Sequence, residues 1–252
     1  MSGKDNSLYR RQTEILDISG FGKGYQCSIT GGYTRLTFIL DRFMPELLKA
    51  TDLFCERDER ILFANLSFAV DQGDIVHIQG ANGAGKTTLL RRLVGLSWVV
   101  EGNVTWHAPV ADGDALDGNR FWYLAHRPAV TLLQTPLENL AFAMALHNQV
   151  LAPEALWQAL STVGLRGYED VPAHSLSAGQ QRRVSLARLY LDLPEVRLWL
   201  LDEPFTALDA GAVTQLEARI VSFAERGGTV IMTSHHGLHH AAVRHLHIGA
   251  PL

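Results

Sequence analysis

The phrase GANGAGKTT, Gly80 to Thr88, constrains this chain more than any other stretch. It fits G-x-x-x-x-G-K-[ST], a loop that functions only between a strand and a helix. Both are in place. DIVHIQG before it is a short β-rich run ending at Gly80, and a helix is expected from the loop onward, with Leu89, Leu93 and Leu96 on one face. The backbone of Gly80, Ala81, Asn82, Gly83, Ala84 and Gly85 should curve round an anion with its N–H groups inward, helped by the positive end of the helix. The motif puts Lys86 across the β- and γ-phosphates, offers the Thr87 hydroxyl to Mg²⁺ and brings Thr88 to the α-phosphate. Nucleotide binding follows from this phrase alone; what the nucleotide is used for does not.

A second constraint is LWLLDEP, Leu198 to Pro204. Its apolar run reads as a buried strand, so Asp202 and Glu203 emerge at the C-terminal end, where open α/β sheets bind ligands. Asp202 is the candidate for the Mg²⁺ shell and Glu203 for the general base that polarises the attacking water.

The remaining elements fit an α/β domain with a mainly parallel sheet. LLKATDLF and ILFANLSFAV suggest two antiparallel strands with CERDER as the charged turn between them. FWYLA, VRLWLLD and GTVIMTS read as strands. TPLENLAFAMALH and PEALWQALSTVG read as helices, each opening with a proline near its first turn. Residues 1–43 are rich in Gly, Ser, Thr and basic residues without sustained period, and are expected to be a flexible extension, with Met44 as an alternative start. The domain proper is then 44–252.

Composition excludes several function classes. Lys and Arg total 22 against 26 Asp and Glu, a net charge of −4, so no broad basic field invites nucleic acid. Cys27 and Cys55 are the only cysteines, too few for a disulfide framework and fitting a reducing compartment. No run reaches the ~18 apolar residues of a membrane span, and the first residues lack the apolar run of a secretory signal. A membrane role would need a separate spanning partner.

LSAGQ, Leu176 to Gln180, resembles the LSGGQ signature of ABC-type ATPases, with Ala178 in place of a glycine, and QQRRVSLARL resembles the helix that follows it. FTALD, Phe205 to Asp209, looks like the family's D-loop, and Thr233, Ser234 and His235 look like its switch region. The resemblance runs from about Pro45 to the end. It implies a P-loop NTPase of ABC type: a RecA-like core, an N-terminal antiparallel β subdomain and an inserted α-helical signature subdomain. It implies ATP and Mg²⁺ as cofactors. It implies that Ser177, Gly179 and Gln180 bind the γ-phosphate held by a second copy, and that His235 joins Lys86 and Glu203 in hydrolysis. Ser177 is also a plausible helix cap on its own.

Two positions depart from the family pattern. Where it carries a glutamine after the FWYLA strand, this chain has Arg127, or by a one-residue shift His126. Where it stacks an aromatic on adenine, counting back from Leu62 gives Arg57, with Phe54 as a substitute; a stacked guanidinium implies weak base selectivity. His236, His239, His240, His245 and His247 read as a solvated histidine-rich face rather than a metal or haem site.

CERDER, HRP after the FWYLA strand, and LSAGQQRRVSLARL resemble in particular the ATP-binding subunits of bacterial haem exporters used in cytochrome c maturation. That resemblance implies a homodimer of ATP-binding subunits at the cytoplasmic face of the inner membrane. Its partners would be integral-membrane cytochrome c maturation subunits and, indirectly, a haem chaperone, with no nucleic acid. ATP hydrolysis would drive haem export or release of the haem-loaded chaperone. The competing readings are a soluble ABC-type ATPase and a weakly hydrolysing nucleotide-dependent scaffold.

Overall fold

The structure is a computed structural model; it describes residues 45–249 apart from positions 99, 113–114, 239 and 241–242. The expectation for residues 1–43 lies outside the described residues.

The chain opens with a hairpin of β1 (Glu46–Arg57) and β2 (Arg60–Asp71). CERDER is mostly strand: only Asp58 and Glu59 turn, both in the left-handed region at φ 52° and 59°. A two-residue loop with two positive φ values matches the twist of the flanking strands, which a longer charged turn would not. After β3 (Ile75–Gln79) and α1 (Lys86–Leu93), β4 (Val100–Trp106) returns to pair with β1, giving an antiparallel sheet in the order β2-β1-β4. The small hairpin β5 (Ala111–Asp112) and β6 (Ala115–Leu116) precedes β7 (Phe121–Leu124).

Helix α1 is shorter than expected. Leu89, Leu90 and Leu93 are buried, but the helix ends at Leu93 and Leu96 lies beyond it, exposed. Gly95, at φ 74°, ends the periodic pattern before Leu96 can join it.

Three helices follow β7: α2 (Pro136–Leu146), α3 (Pro153–Thr162) and α4 (Ala178–Ala187). Thr135 and Glu138 form a capping box on α2, worth about 1 kcal/mol, with Pro136 at its first position. The chain then re-enters the sheet as β8 (Leu198–Asp202), crosses α5 (Ala210–Glu225), and finishes with β9 (Thr229–Thr233) and β10 (Val243–His247). The main sheet has the order β10-β3-β9-β8-β7, and all its pairings are parallel. Strand β10 was not legible in advance, because VRHLH reads as part of a histidine-rich tail.

Strand β8 shows why the sheet is a partition. All five residues are buried, but alternate side chains enter different cores. Trp199 and Leu201 join Trp122, Leu124 and Met232 and the helices α2–α5. Leu198 and Leu200 join Val76, Ile78, Ile231, α1 and the antiparallel sheet. The loops at the C-terminal ends of β3, β7, β8 and β9 are thereby fixed from both sides.

Candidate functional site

Those loops meet at a cleft of about 540 Å³. It is lined by Asn82, Gly83, Gly85, Lys86, Thr87 and Thr88 from the glycine-rich loop, by Arg57, Asp58, Arg60 and Leu62 from the hairpin, and by His126, Glu203 and His235. This volume is in the usual range for a small-molecule site.

Backbone geometry shapes the loop. Gly83 and Gly85 have φ 79° and 93°. At Gly80 the demand is proximity: a Cβ there would sit 2.5 Å from the Ile248 carbonyl oxygen. The remaining loop residues divide by role. Lys86 Nζ donates to the carbonyl oxygens of Gly80 at 2.8 Å and Ala81 at 3.3 Å, so those two hold the lysine rather than line the cleft. Ala84 is buried beneath it.

Behind the cleft runs a continuous hydrogen-bonded chain. The Thr87 hydroxyl donates to the Asp202 carboxylate, 2.9 Å from Oδ2. The Thr233 hydroxyl donates to Asp202 Oδ1 at 2.7 Å and accepts from the Glu203 N–H at 3.0 Å. The Asp202–Thr233 register of neighbouring parallel strands makes that bridge possible. Glu203 Oε2 accepts from the His235 N–H at 3.1 Å, and the His235 ring Nε2 lies 3.6 Å from Oε1. Glu203 is held at φ 49°, a left-handed conformation uncommon outside glycine and frequent at working sites. Asp202 is only 1% exposed, and among the described residues no cation pairs with its carboxylate.

Sequence reasoning missed two residues that support this chain. Arg182 is buried, and its guanidinium donates to the carbonyl oxygens of Ala125, His126, Asp202 and Glu203. Burial pushes its pKa down to about 10, opposed by the charges of Asp202 and Glu203. His77 on β3 is buried too, and its Nε2 donates to the Ser234 carbonyl at 2.9 Å, next to His235. Burial holds its pKa below the ordinary histidine value. A basic pair in QQRR and a lone His in an apolar strand give no sequence signal of either contact.

The two open positions differ in what lines the cleft. His126, not Arg127, lines the cleft after β7. Arg57 lines it and Phe54 does not; Arg57 is largely exposed and pairs with Asp58 at 3.5 Å.

The signature residues lie elsewhere. Among the described residues lining the cleft, none is Ser177, Gly179 or Gln180. Ser177 caps α4 in a closed box: its Oγ accepts from the Gln180 N–H at 3.3 Å, and Gln180 Oε1 accepts from the Ser177 N–H at 2.9 Å. Gly179 packs so closely on the turn after β8 that a Cβ would lie 3.0 Å from the Ala207 carbonyl oxygen. Arg183 pairs with Asp209, which also caps α5 through the Ala212 N–H. His245 and His247 are exposed on β10, as a solvated face requires; His239 lies outside the described residues. Among the described residues no helix is long and apolar enough to cross a membrane.

Known proteins place this geometry in a family. Residues 63–206 match the ABC transporter family model. The chain is 51% identical over 193 residues to the cytochrome c biogenesis ATP-binding export protein CcmA of Pseudomonas fluorescens (strain Pf0-1), covering 76% of this chain and 90% of that protein. It is 48% identical over 211 residues to CcmA of Hahella chejuensis, covering 81% and 96%. A solved ATP-binding subunit of an ABC transporter superposes with TM-score 0.64 at 25% identity, over 75% of this chain and 79% of that one. The fold is also that of the dimeric ATP-binding cassette MJ0796 bound to ADP and Pi, with TM-score 0.68 at 22% identity over 81% and 94%. The chain therefore belongs to the ATP-hydrolysing, ATP-binding subunits of ABC transporters, among proteins similar to CcmA.

Proposed function

We propose that two copies of this chain hydrolyse ATP between them and drive the membrane complex of cytochrome c biogenesis, powering haem export or release of a haem-loaded chaperone. The observation that carries the hydrolytic part is the unbroken chain Thr87–Asp202–Thr233–Glu203–His235 beside the cleft. The cytochrome c part is supported by the similarity to CcmA.

In this reading the loop from Gly80 to Thr88 holds the phosphates, with Lys86 leaving its carbonyl partners for the β- and γ-phosphate oxygens. A buried carboxylate with no cationic partner among the described residues, beside a threonine hydroxyl, is a hard oxygen donor set that suits Mg²⁺. Bound there through Thr87 and Asp202, the ion would neutralise phosphate charge. Glu203 takes the proton of the attacking water, and His235 beside it donates to the γ-phosphate oxygen that gains charge. Arg57 stacks on the base from the rim of the cleft.

Ser177, Gly179 and Gln180 serve the second copy's nucleotide. Their place at a helix N-terminus outside this chain's own cleft, with Ser177 exposed and Gly179 and Gln180 half-buried, supports that assignment. Membrane subunits dock on the exposed apolar residues of α2 and the segment before it. Leu132 and Leu133 precede α2, and Phe142 and Leu146 are one turn apart along it, all exposed. The protein then works peripherally at the cytoplasmic face of the inner membrane.

Affinity purification from detergent-solubilised membranes tests the assignment. The integral-membrane cytochrome c maturation subunits should co-purify and raise turnover, and Leu133→Asp with Leu146→Asp should release them. A catch of ribosomes without membrane subunits contradicts it.

A further inference from the structure

The buried arginine on the signature helix has no place in the hydrolytic scheme so far. Arg182 is 2% exposed, and among the described residues no carboxylate forms an ion pair with it. All its partners are main-chain oxygens. NH1 donates to Ala125 at 2.9 Å and His126 at 3.2 Å; NH2 donates to Asp202 at 3.0 Å and Glu203 at 2.7 Å. A buried cation held by neutral carbonyls costs more than an apolar side chain of the same volume would. The fold retains it where the segments after β7 and β8 converge.

We propose that Arg182 is a positioning residue for hydrolysis, stapling the left-handed turn that aims Glu203 to the start of the loop that carries His126. This rests on the reading of Glu203 as the general base. The planar guanidinium fork spans both pairs of carbonyls at once, which a point-charge ammonium cannot do. Glu203 at φ 49° keeps its conformation only while its neighbours over-determine it. Thr233 fixes the N–H of Glu203, and Arg182 fixes the carbonyls on either side of the Glu203 N–H and Cα. The staple rides on α4, five residues from the Ser177 cap, a rise of about 7.5 Å. Arg183, the next residue, ties the same helix to Asp209. A displacement of the signature end of α4 by a second copy's nucleotide therefore reaches Glu203 and His126 together.

The test compares Arg182→Lys, Arg182→Gln, Glu203→Gln and Arg219→Lys in the full chain. Arg219 pairs with Asp192 and bonds the Leu189 carbonyl, away from the cleft, so its variant reports a purely structural loss. Steady-state kinetics, Tm and the affinity for a fluorescent ATP analogue are measured for each. Both Arg182 variants should lose about tenfold or more in kcat, with KM and analogue affinity within about threefold of wild type. Arg219→Lys should lower Tm without changing kcat. If Arg182→Gln does not fold, Arg182→Lys, which keeps the cation and loses the fork, carries the comparison. A wild-type kcat for Arg182→Lys overturns the proposal, as does a kcat loss that Arg219→Lys reproduces at equal Tm. A wild-type rate for Glu203→Gln would instead remove the reading on which it rests.

Discussion

The phosphate-loop side and the signature side of this molecule are built in opposite ways. Around Asp202 and Glu203 the Thr87 and Thr233 hydroxyls and the His235 N–H join distant parts of the same chain at the end of a strand buried on both faces, and Lys86 is held by carbonyls of its own loop. At Ser177 the contact is local, a capping box closed on itself, and Gly179 beside it is pressed against the Ala207 carbonyl of the turn after β8. The first region is preorganised for a ligand within the chain. The second is a rigid, exposed helix start whose complement is not in its own cleft. Under the proposed function, one chain carries two unlike half-sites.

The contrast breaks first if the preorganised side is not the seat of chemistry. Glu203→Gln should lower kcat by about 10²–10⁴ while ATP affinity is retained; binding and single-turnover assays together separate the two. Thr233→Val tests the support beneath it. Losing the hydroxyl that bridges Asp202 and Glu203 should cost about 1–3 kcal/mol in urea unfolding and about tenfold in kcat. An unchanged variant would mean the strand register alone holds the turn.

Acidification sharpens the comparison more gently. Burial lowers the pKa of His77 and of His147 below 6.5 in the folded protein. As pH falls through about 6.5 the unfolded chain therefore takes up these protons first, and stability falls until the folded pKa values are reached. Unfolding free energy should be lower at about pH 5.5 than at about pH 7.5, and the drop should shrink in His77→Gln. The smallest effect concerns the base. With Arg57 at an exposed rim, ATP and GTP should differ in KM by less than about tenfold; a strong preference for ATP would remove Arg57 from its role.

What the sequence revealed depended on whether the chemistry is local or joins distant segments. The phosphate loop and the Asp202–Glu203 strand end were legible because their chemistry is local: a spacing, a strand before and a helix after. The Ser177 cap and the prolines opening α2 and α3 were legible for the same reason. The residues that join distant segments were not. Thr233 meets Asp202 only through the pairing of β8 with β9. Arg182 looks like one more basic residue on a polar helix until four carbonyls close round it. His126 and Arg127 could not be told apart because a strand end cannot be fixed to one residue from its pattern. Strand β10 was hidden because its histidines broke the apolar alternation that marks a strand.

The central claim is that each working site joins the phosphate loop of one copy to the signature of another. Mixing two inactive variants tests it most directly. Lys86→Ala removes the loop's cation, and Gly179→Asp places a carboxylate at the signature. Each homodimer has both sites damaged, whereas a mixed dimer has one intact site. The account predicts that neither variant alone turns over ATP, that Gly179→Asp still binds it, and that the mixture recovers up to roughly a quarter of wild-type activity. A mixture as inactive as its components, or full activity in Gly179→Asp alone, would contradict it.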